Sequence, residues 1–401
     1  MPTPSLLIVP ARFKTGKLYS QIPTSGAGDF TVTRNTAARR FDSAGLIESV
    51  ASGIPRLDYY TSGGTAGCPA LLVEPAATNA LSYSEEFDNA AWGKSAMTVS
   101  TGTTALFTAP DGTTNADKII ATSGNVAHNI NRSGIASAAY TFSVFAKAGE
   151  ESVISLWLRG ASVRAEFNLV SGTVSNITTT SARIENYGNG WYRCTVYDST
   201  AGTTAHVYGR GGAAYAGNGS DGFYLWGAQL ETGSIATSYI PTTTGSATRN
   251  ADVINLSGAV SGCIGQTEGT IYWEGSLGQI DKIFFSIGAS TTQTIRLETR
   301  SDGLMQFSVV SGSNQCAIFT SGAITIGQFY KVAGAYKQDD FVFYVNGVQV
   351  GFDNSGTIPT ALAQMQFSSS ATANLSIQRC RALALYTTRL TNAQLAALTT
   401  L

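Results

Sequence analysis

Apolar and polar residues alternate in short runs along most of the chain. In 140–147 the alternation puts Tyr140, Phe142, Val144 and Ala146 on one face, the period of a half-buried strand. Similar runs follow at 152–159, 163–170, 191–197, 206–210 and 223–230, with Gly188-Asn189-Gly190 as a turn. Short strands separated by turn signals predict a sandwich or jelly roll. The pattern resumes at 269–275, 282–287, 294–299, 305–310 and 330–336, then at 341–345 and 348–350. The last two flank Asn346-Gly347, a dipeptide suited to the positive φ angles of a tight hairpin. At 390–398 the spacing predicts a short helix, capped by Thr391 or Asn392 and burying Leu395 and Leu398. No long helix and no heptad repeat is expected.

Residues 1–75 are the least regular. Pro2, Pro4, Pro10, Pro23 and Pro55 punctuate short apolar pieces, which suits extended or edge segments. A strand is expected at 29–34 and another at 46–50, after an Asp42-Ser43-Ala44-Gly45 turn. With little core of its own, this segment is expected to pack on a neighbour, another copy or a larger assembly. The fold class is therefore all-β: an extended N-terminal segment (1–75, for attachment or oligomerisation) followed by two β-sandwich (jelly-roll) domains, 76–245 and 246–401. Thr33-Arg34-Asn35-Thr36-Ala37 echoes Thr248-Arg249-Asn250-Ala251-Asp252. In a chain rich in Thr and Ala the echo reads as chance.

Composition narrows the function. Hydrophobic residues are 43% and net charge is −1, so the chain has the makings of a fold rather than of disorder. Charged residues are only 13%, against about 25% in ordinary domains. A neutral chain lacks the clustered cations that nucleic-acid binding needs, and Arg34, Arg39 and Arg40, its densest basic patch, read as structural. No run is long enough for a membrane helix, and the N-terminus lacks the pattern of a signal peptide, so synthesis in a cytoplasm is expected. Cys68, Cys194, Cys263, Cys316 and Cys380 are odd in number and widely spaced, which suits buried free thiols.

Two motif groups bracket the middle block. One runs from Asp42-Ser43-Ala44-Gly45-Leu46-Ile47-Glu48 through Ile54-Pro55-Arg56-Leu57-Asp58-Tyr59 to Leu71-Leu72-Val73-Glu74-Pro75 and Thr78-Asn79. The other is Trp226-Gly227-Ala228-Gln229-Leu230-Glu231 with Thr237-Ser238-Tyr239-Ile240-Pro241-Thr242. Over roughly residues 30–253 they resemble bacteriophage virion proteins of the fibre and spike type (tail fibre or head fibre), in which the middle domain resembles a carbohydrate-binding jelly roll. The last 150 or so residues resemble a laminin-G/concanavalin-A-like lectin sandwich, through 327–332, the Asn346-Gly347 hairpin and the 385–391 stretch. The resemblance implies a virion structural protein, made in the host bacterial cytoplasm, that adheres to bacterial-surface or environmental glycans. Its partners would be its own copies, a trimer favoured, other virion proteins reached through the N-terminal segment, and host-surface glycans, with neither membrane insertion nor nucleic acid. A decoration protein without ligand, or a polysaccharide-depolymerising spike, is the alternative.

The residues offer little for catalysis. Only His128, in a polar stretch, and His206, in a strand-like run, could serve as imidazole bases. No nucleophile elbow, phosphate loop or zinc-protease motif occurs. Glu85-Glu86, Glu150-Glu151 and Asp339-Asp340 are adjacent acids, and adjacent strand residues face opposite ways, unlike the opposed carboxylates of a glycosidase. The chain is expected not to be an enzyme and to need no cofactor. Calcium is the one ion with candidate ligands, Asp281, Asp302, Asp339, Asp340 and Asp353, though without a calcium-loop pattern. Sugar binding needs an aromatic face flanked by polar groups. Alternation puts Ser155, Trp157 and Arg159 on one face and pairs Tyr208 with Arg210. The candidate glycan contacts are therefore Trp157, Arg159, Tyr208, Arg210 and Trp273, while Trp92, Trp191 and Trp226 read as core.

Overall fold

The computed structural model describes residues 2–100, 107–159, 163–257, 262–367 and 375–401. It is all-β apart from short helical turns and one α-helix among these residues, and its two sandwiches are not consecutive in the chain.

The middle sandwich holds two six-stranded antiparallel sheets. One runs in the order Gly93–Ser95, Asn129–Arg132, Ala205–Gly209, Val153–Leu158, Arg164–Asn168, Thr173–Ser175. The other runs Met97–Ser100, Asp117–Ala121, Gly222–Thr232, Tyr140–Ala148, Trp191–Tyr197, Ser181–Asn186. Alternation turns Ile130, Leu156, Phe167 and Val207 of the first sheet and Phe142, Val144, Val196 and Leu225 of the second into one core, all at 0% exposure. Apolar burial at about 25 cal/mol per Å² holds the layers together.

The second sandwich is built from both ends of the chain. In its eight-stranded sheet, Gln378–Tyr386 lies beside Glu268–Leu277 and pairs with Ala66–Val73 and with Leu6–Ile8. In its nine-stranded sheet, Phe30–Thr33 pairs with Val253–Ser257. Leu6, Ile8, Phe30, Leu71 and Val73 share one core with Trp273, Phe285, Phe307 and Leu383. Residues 1–75 thus do not stand apart as a separate segment. Their apolar alternation finds its partner strands in 253–386, and the middle sandwich is an insertion into this frame. Ala77–Asn79 pairs with Ala247–Arg249 as a two-stranded neck where the insertion begins and ends.

The bracketing motifs supply polar joints at that neck. Asn79 donates to the carbonyls of Ala228 and Ile240 and accepts from the amides of Leu81 and Leu230. Glu231 accepts from the Thr237 amide and hydroxyl. Glu74 accepts from the Ser238 amide and hydroxyl and pairs with Arg56. Arg56 and Arg34 both pair with Asp252, and Arg249 lies within 3.4 Å of Glu74. The five charged side chains of this knot are at most 4% exposed. Burial alone would raise the Glu74 carboxyl, but Arg249 and Arg56 hold it well below the usual carboxylate range. Both arginines of the echo, Arg34 and Arg249, end in this knot.

Local expectations are met at two points. Asn346 and Gly347 have φ of 48° and 83° between strands Asp340–Val345 and Val348–Asp353. Thr391 caps helix Asn392–Thr399 through a capping box with Gln394, and Leu395 is buried beneath it, while Leu398 is only half-buried. Four cysteines are buried free thiols, as expected, but Cys68 is exposed. No helix among the described residues is long and apolar enough to cross a membrane.

Candidate functional site

The first sheet of the middle sandwich faces the core on one side only. Because Ile130, Val207, Leu156 and Ala165 point inward, their strand neighbours project from the opposite face. The register aligns these neighbours in two rows across four strands. One row is Asn131, His206, Trp157, Arg164; the next is Asn129, Tyr208, Ser155, Glu166. Tyr208 stacks on Trp157 with centroids 4.0 Å apart, and His206 lies parallel to Tyr208 at 5.7 Å. The Arg164 guanidinium sits 5.2 Å from the Trp157 ring centroid. Trp157 Nε1 donates to Ser155 Oγ at 2.7 Å, and Ser155 Oγ donates to the Ala165 carbonyl.

The two rows together combine apolar ring faces with side chains that can reach hydroxyls. Asn131 donates to Asn129 Oδ1 at 2.9 Å. Burial lowers the His206 imidazole from its ordinary value, which favours the neutral ring, and its Nδ1 has no partner among the described residues. A sugar needs both kinds of surface: rings for its C–H face, donors and acceptors for its hydroxyls.

A short loop, Arg210–Gly212, lies against the platform. A Cβ on Gly212 would stand 2.2 Å from Trp157 Cζ2, and one on Gly211 would stand 2.8 Å from the Glu166 carboxyl. Glycine is required there for contact as well as for positive φ. Arg210 anchors the loop through a two-point bond to Glu151 at 2.7 and 2.6 Å and lies over Tyr215. His128, expected in a polar loop, is fully buried. Its Nδ1 is 2.6 Å from the Ala96 carbonyl and its Nε2 is 3.0 Å from that of Tyr215. It therefore ties Ala96 to the strand Tyr215–Gly217 that follows the loop.

The structure sorts the five candidate contacts. Tyr208 is half-buried on the face, while Trp157 is 6% exposed and acts as the support beneath it. Arg210 adjoins the face through its loop, with its side chain 49% exposed. Arg159 does not share the face of Trp157. Its strand ends at Leu158, a φ of 53° turns the chain, and its guanidinium goes to Asp198 at 3.5 Å. Trp273 is not a surface contact at all. It is 0% exposed on the inward side of Glu268–Leu277, against Phe284 and hydrogen-bonded to Gln378. Trp92, Trp191 and Trp226 are core, as expected. Asn129, Asn131, Arg164 and Glu166 were missed, since only strand register reveals that they flank the rings.

The calcium candidates do not gather. Asp302 pairs with Arg300 and Asp340 with Arg389, and no group of three or more His, Cys, Asp or Glu able to hold a metal occurs among the described residues.

Comparison with known proteins finds a family model that matches one part of the chain. Residues 272–374 match the model of the concanavalin A-like lectin/glucanases superfamily, so the frame carries a lectin-like domain. No curated protein matches the chain. Among solved structures, the CBM40 of Ruminococcus gnavus IT-sialidase bound to α2,3-sialyllactose is similar at 13% identity, over 34% of this chain and 84% of that one, with a TM-score of 0.30. Domain 4 of AbnA, a GH43 extracellular arabinanase from Geobacillus stearothermophilus, in complex with arabinotriose, is similar at 19% identity, over 42% and 82%, with a TM-score of 0.33. Mouse laminin α1 domains LG4-5 are similar at 11% identity, over 67% and 90%, with a TM-score of 0.26.

Proposed function

We propose that this protein is a non-enzymatic glycan-binding component of a bacteriophage virion, a fibre, spike or capsid decoration, that adheres to bacterial-surface or environmental glycans. The observation that carries the glycan reading is the stacked cluster of His206, Tyr208 and Trp157, with Asn131 and Glu166 beside it, on the outward face of one sheet. The lectin-like match in the frame supports the same chemistry. The virion reading is supported by the ordered motifs between Asp42 and Thr242. A shallow face of this kind binds a single sugar weakly, and a homotrimer displayed in many copies multiplies it through effective concentration.

A glycan array probed with the full-length protein, with release of reducing ends from capsule or lipopolysaccharide followed in parallel, tests the reading. Signals on bacterial glycans without release support it. A blank array favours a ligand-free decoration protein, and release of reducing ends overturns the non-enzymatic assignment. Light scattering that gives only monomer removes the trimer, and an image of the particle without this protein on it removes the virion role.

A further inference from the structure

The two sandwiches line a partly open cleft, to which the middle sandwich turns its second sheet rather than the outward face of its first. The frame contributes Asp58, Tyr60 and Arg379; the middle sandwich contributes Arg183, Tyr187 and Arg193. Each carboxylate in its lining already has a cation. Asp58 pairs with Arg379, Glu185 with Arg183, and Glu74 with Arg56. Among the described residues, Arg193 has no ion pair. It is 3% exposed, gives Nη1 to the Thr237 carbonyl and Nη2 to Ser143 Oγ, and leaves Nε without a partner. The buried Glu231 carboxylate, held by the same Thr237, acts on Arg193 from behind the lining.

Arg379, though paired with Asp58, supplies open donors. It meets Asp58 Oδ2 through Nε at 2.5 Å, while Asp58 Oδ1 accepts from the Phe41 amide. This contact leaves the two terminal nitrogens of Arg379 without a hydrogen bond among the described residues, on a side chain 26% exposed. Two parallel N–H groups match the two oxygens of a carboxylate. The same guanidinium lies 5.2 Å from the Tyr60 ring centroid, and the Tyr60 and Tyr187 rings are 5.0 Å apart at 35°. An open arginine fork beside two tyrosine rings is a place for a sugar bearing an acid.

We propose that this cleft is a second saccharide site, formed jointly by both sandwiches, that takes a sugar carrying a carboxylate. The carboxylate would lie on the Arg379 fork and the sugar ring against Tyr60 and Tyr187. This site shares no residue with the outward sheet face and does not depend on the reading given for that face.

Titration of the full-length protein with trigalacturonic acid and with its methyl ester, by calorimetry, tests it. The acid binds and the ester binds at least about tenfold more weakly. Arg379→Lys, which keeps the charge and loses the fork, weakens the acid by about tenfold, and Tyr208→Ala leaves it unchanged. Because Arg379 also neutralises Asp58, Arg183→Ala on the exposed edge strand provides a second readout, with weaker binding of the acid at an unchanged melting temperature. Equal affinity for acid and ester, binding of neither, or unchanged affinity in the arginine variants that fold would overturn the proposal. So would binding that Tyr208→Ala abolishes and Arg183→Ala leaves intact, which would put the acid on the sheet face.

Discussion

Arg34 and Asp252 lie 218 residues apart in the chain and form a 2.8 Å ion pair with side chains 0% and 2% exposed. Asp252 also pairs with Arg56 and accepts from the Glu74 amide. One carboxylate thus joins the N-terminal strands, the entry to the middle sandwich and the return from it. Asp252→Asn leaves two buried guanidiniums short of a partner, and breaking a buried pair costs about 3–5 kcal/mol. Urea denaturation is expected to show a loss in that range. A loss under about 1 kcal/mol, the worth of an exposed pair, would contradict the role given to the knot.

Asp117 sets a pH dependence of stability. Burial raises its carboxyl to about 7, against the hydrogen bond from the Phe87 amide, and Asp88 and Glu86 push it the same way as burial. The folded state therefore binds a proton that the unfolded state releases near pH 4, at about the ordinary aspartate value. Its contribution to stability is present below that value and falls as pH rises towards 7. Asp117→Asn keeps an acceptor for Phe87 and removes the titration. The variant is expected to gain stability over the parent as pH rises from 5 to 8, on the order of the interval just described, measured by thermal melts. Parallel pH profiles would refute this.

Gly212 is the contact between loop and platform. Its φ is 84°, and an added Cβ meets the Trp157 ring at 2.2 Å. Gly212→Ala is expected to lose about 1–3 kcal/mol through strain and to shift tryptophan fluorescence as the loop lifts from Trp157. A variant with parental stability and emission would show that the loop does not bear on the ring.

Trp273 and Tyr208 separate core from contact. Trp273→Ala is expected to cost about 3–5 kcal/mol, since the ring is buried against Phe284, yet to leave glycan binding per folded molecule unchanged. Denaturation and binding measured on the same preparation check both halves.

Much of the fold was legible because alternation in 140–147 or 341–345 depends only on neighbouring residues. The Asn346-Gly347 turn and the Thr391 cap are equally local. The pairing of Leu6 with Leu385 was not legible, since a three-residue strand carries no mark of a partner across the whole chain. Arg56, Glu74 and Asp252 were opaque for a different reason: charged residues read as surface until their partners are known. Periodicity placed Trp157 on a strand face but could not say which face another sheet covers, and for Trp273 that face is the core. Arg159 failed because the strand stops one residue earlier, at a positive φ that sequence alternation does not signal.

The central claim is that Tyr208 and its neighbours on the outward sheet face hold a sugar. Calorimetric titration of the strongest array ligand into parent and Tyr208→Ala protein tests it most directly. The account predicts about a tenfold or greater loss of affinity, in line with removal of a ring that carries binding energy, at an unchanged melting temperature. An unchanged affinity in the folded variant would contradict it.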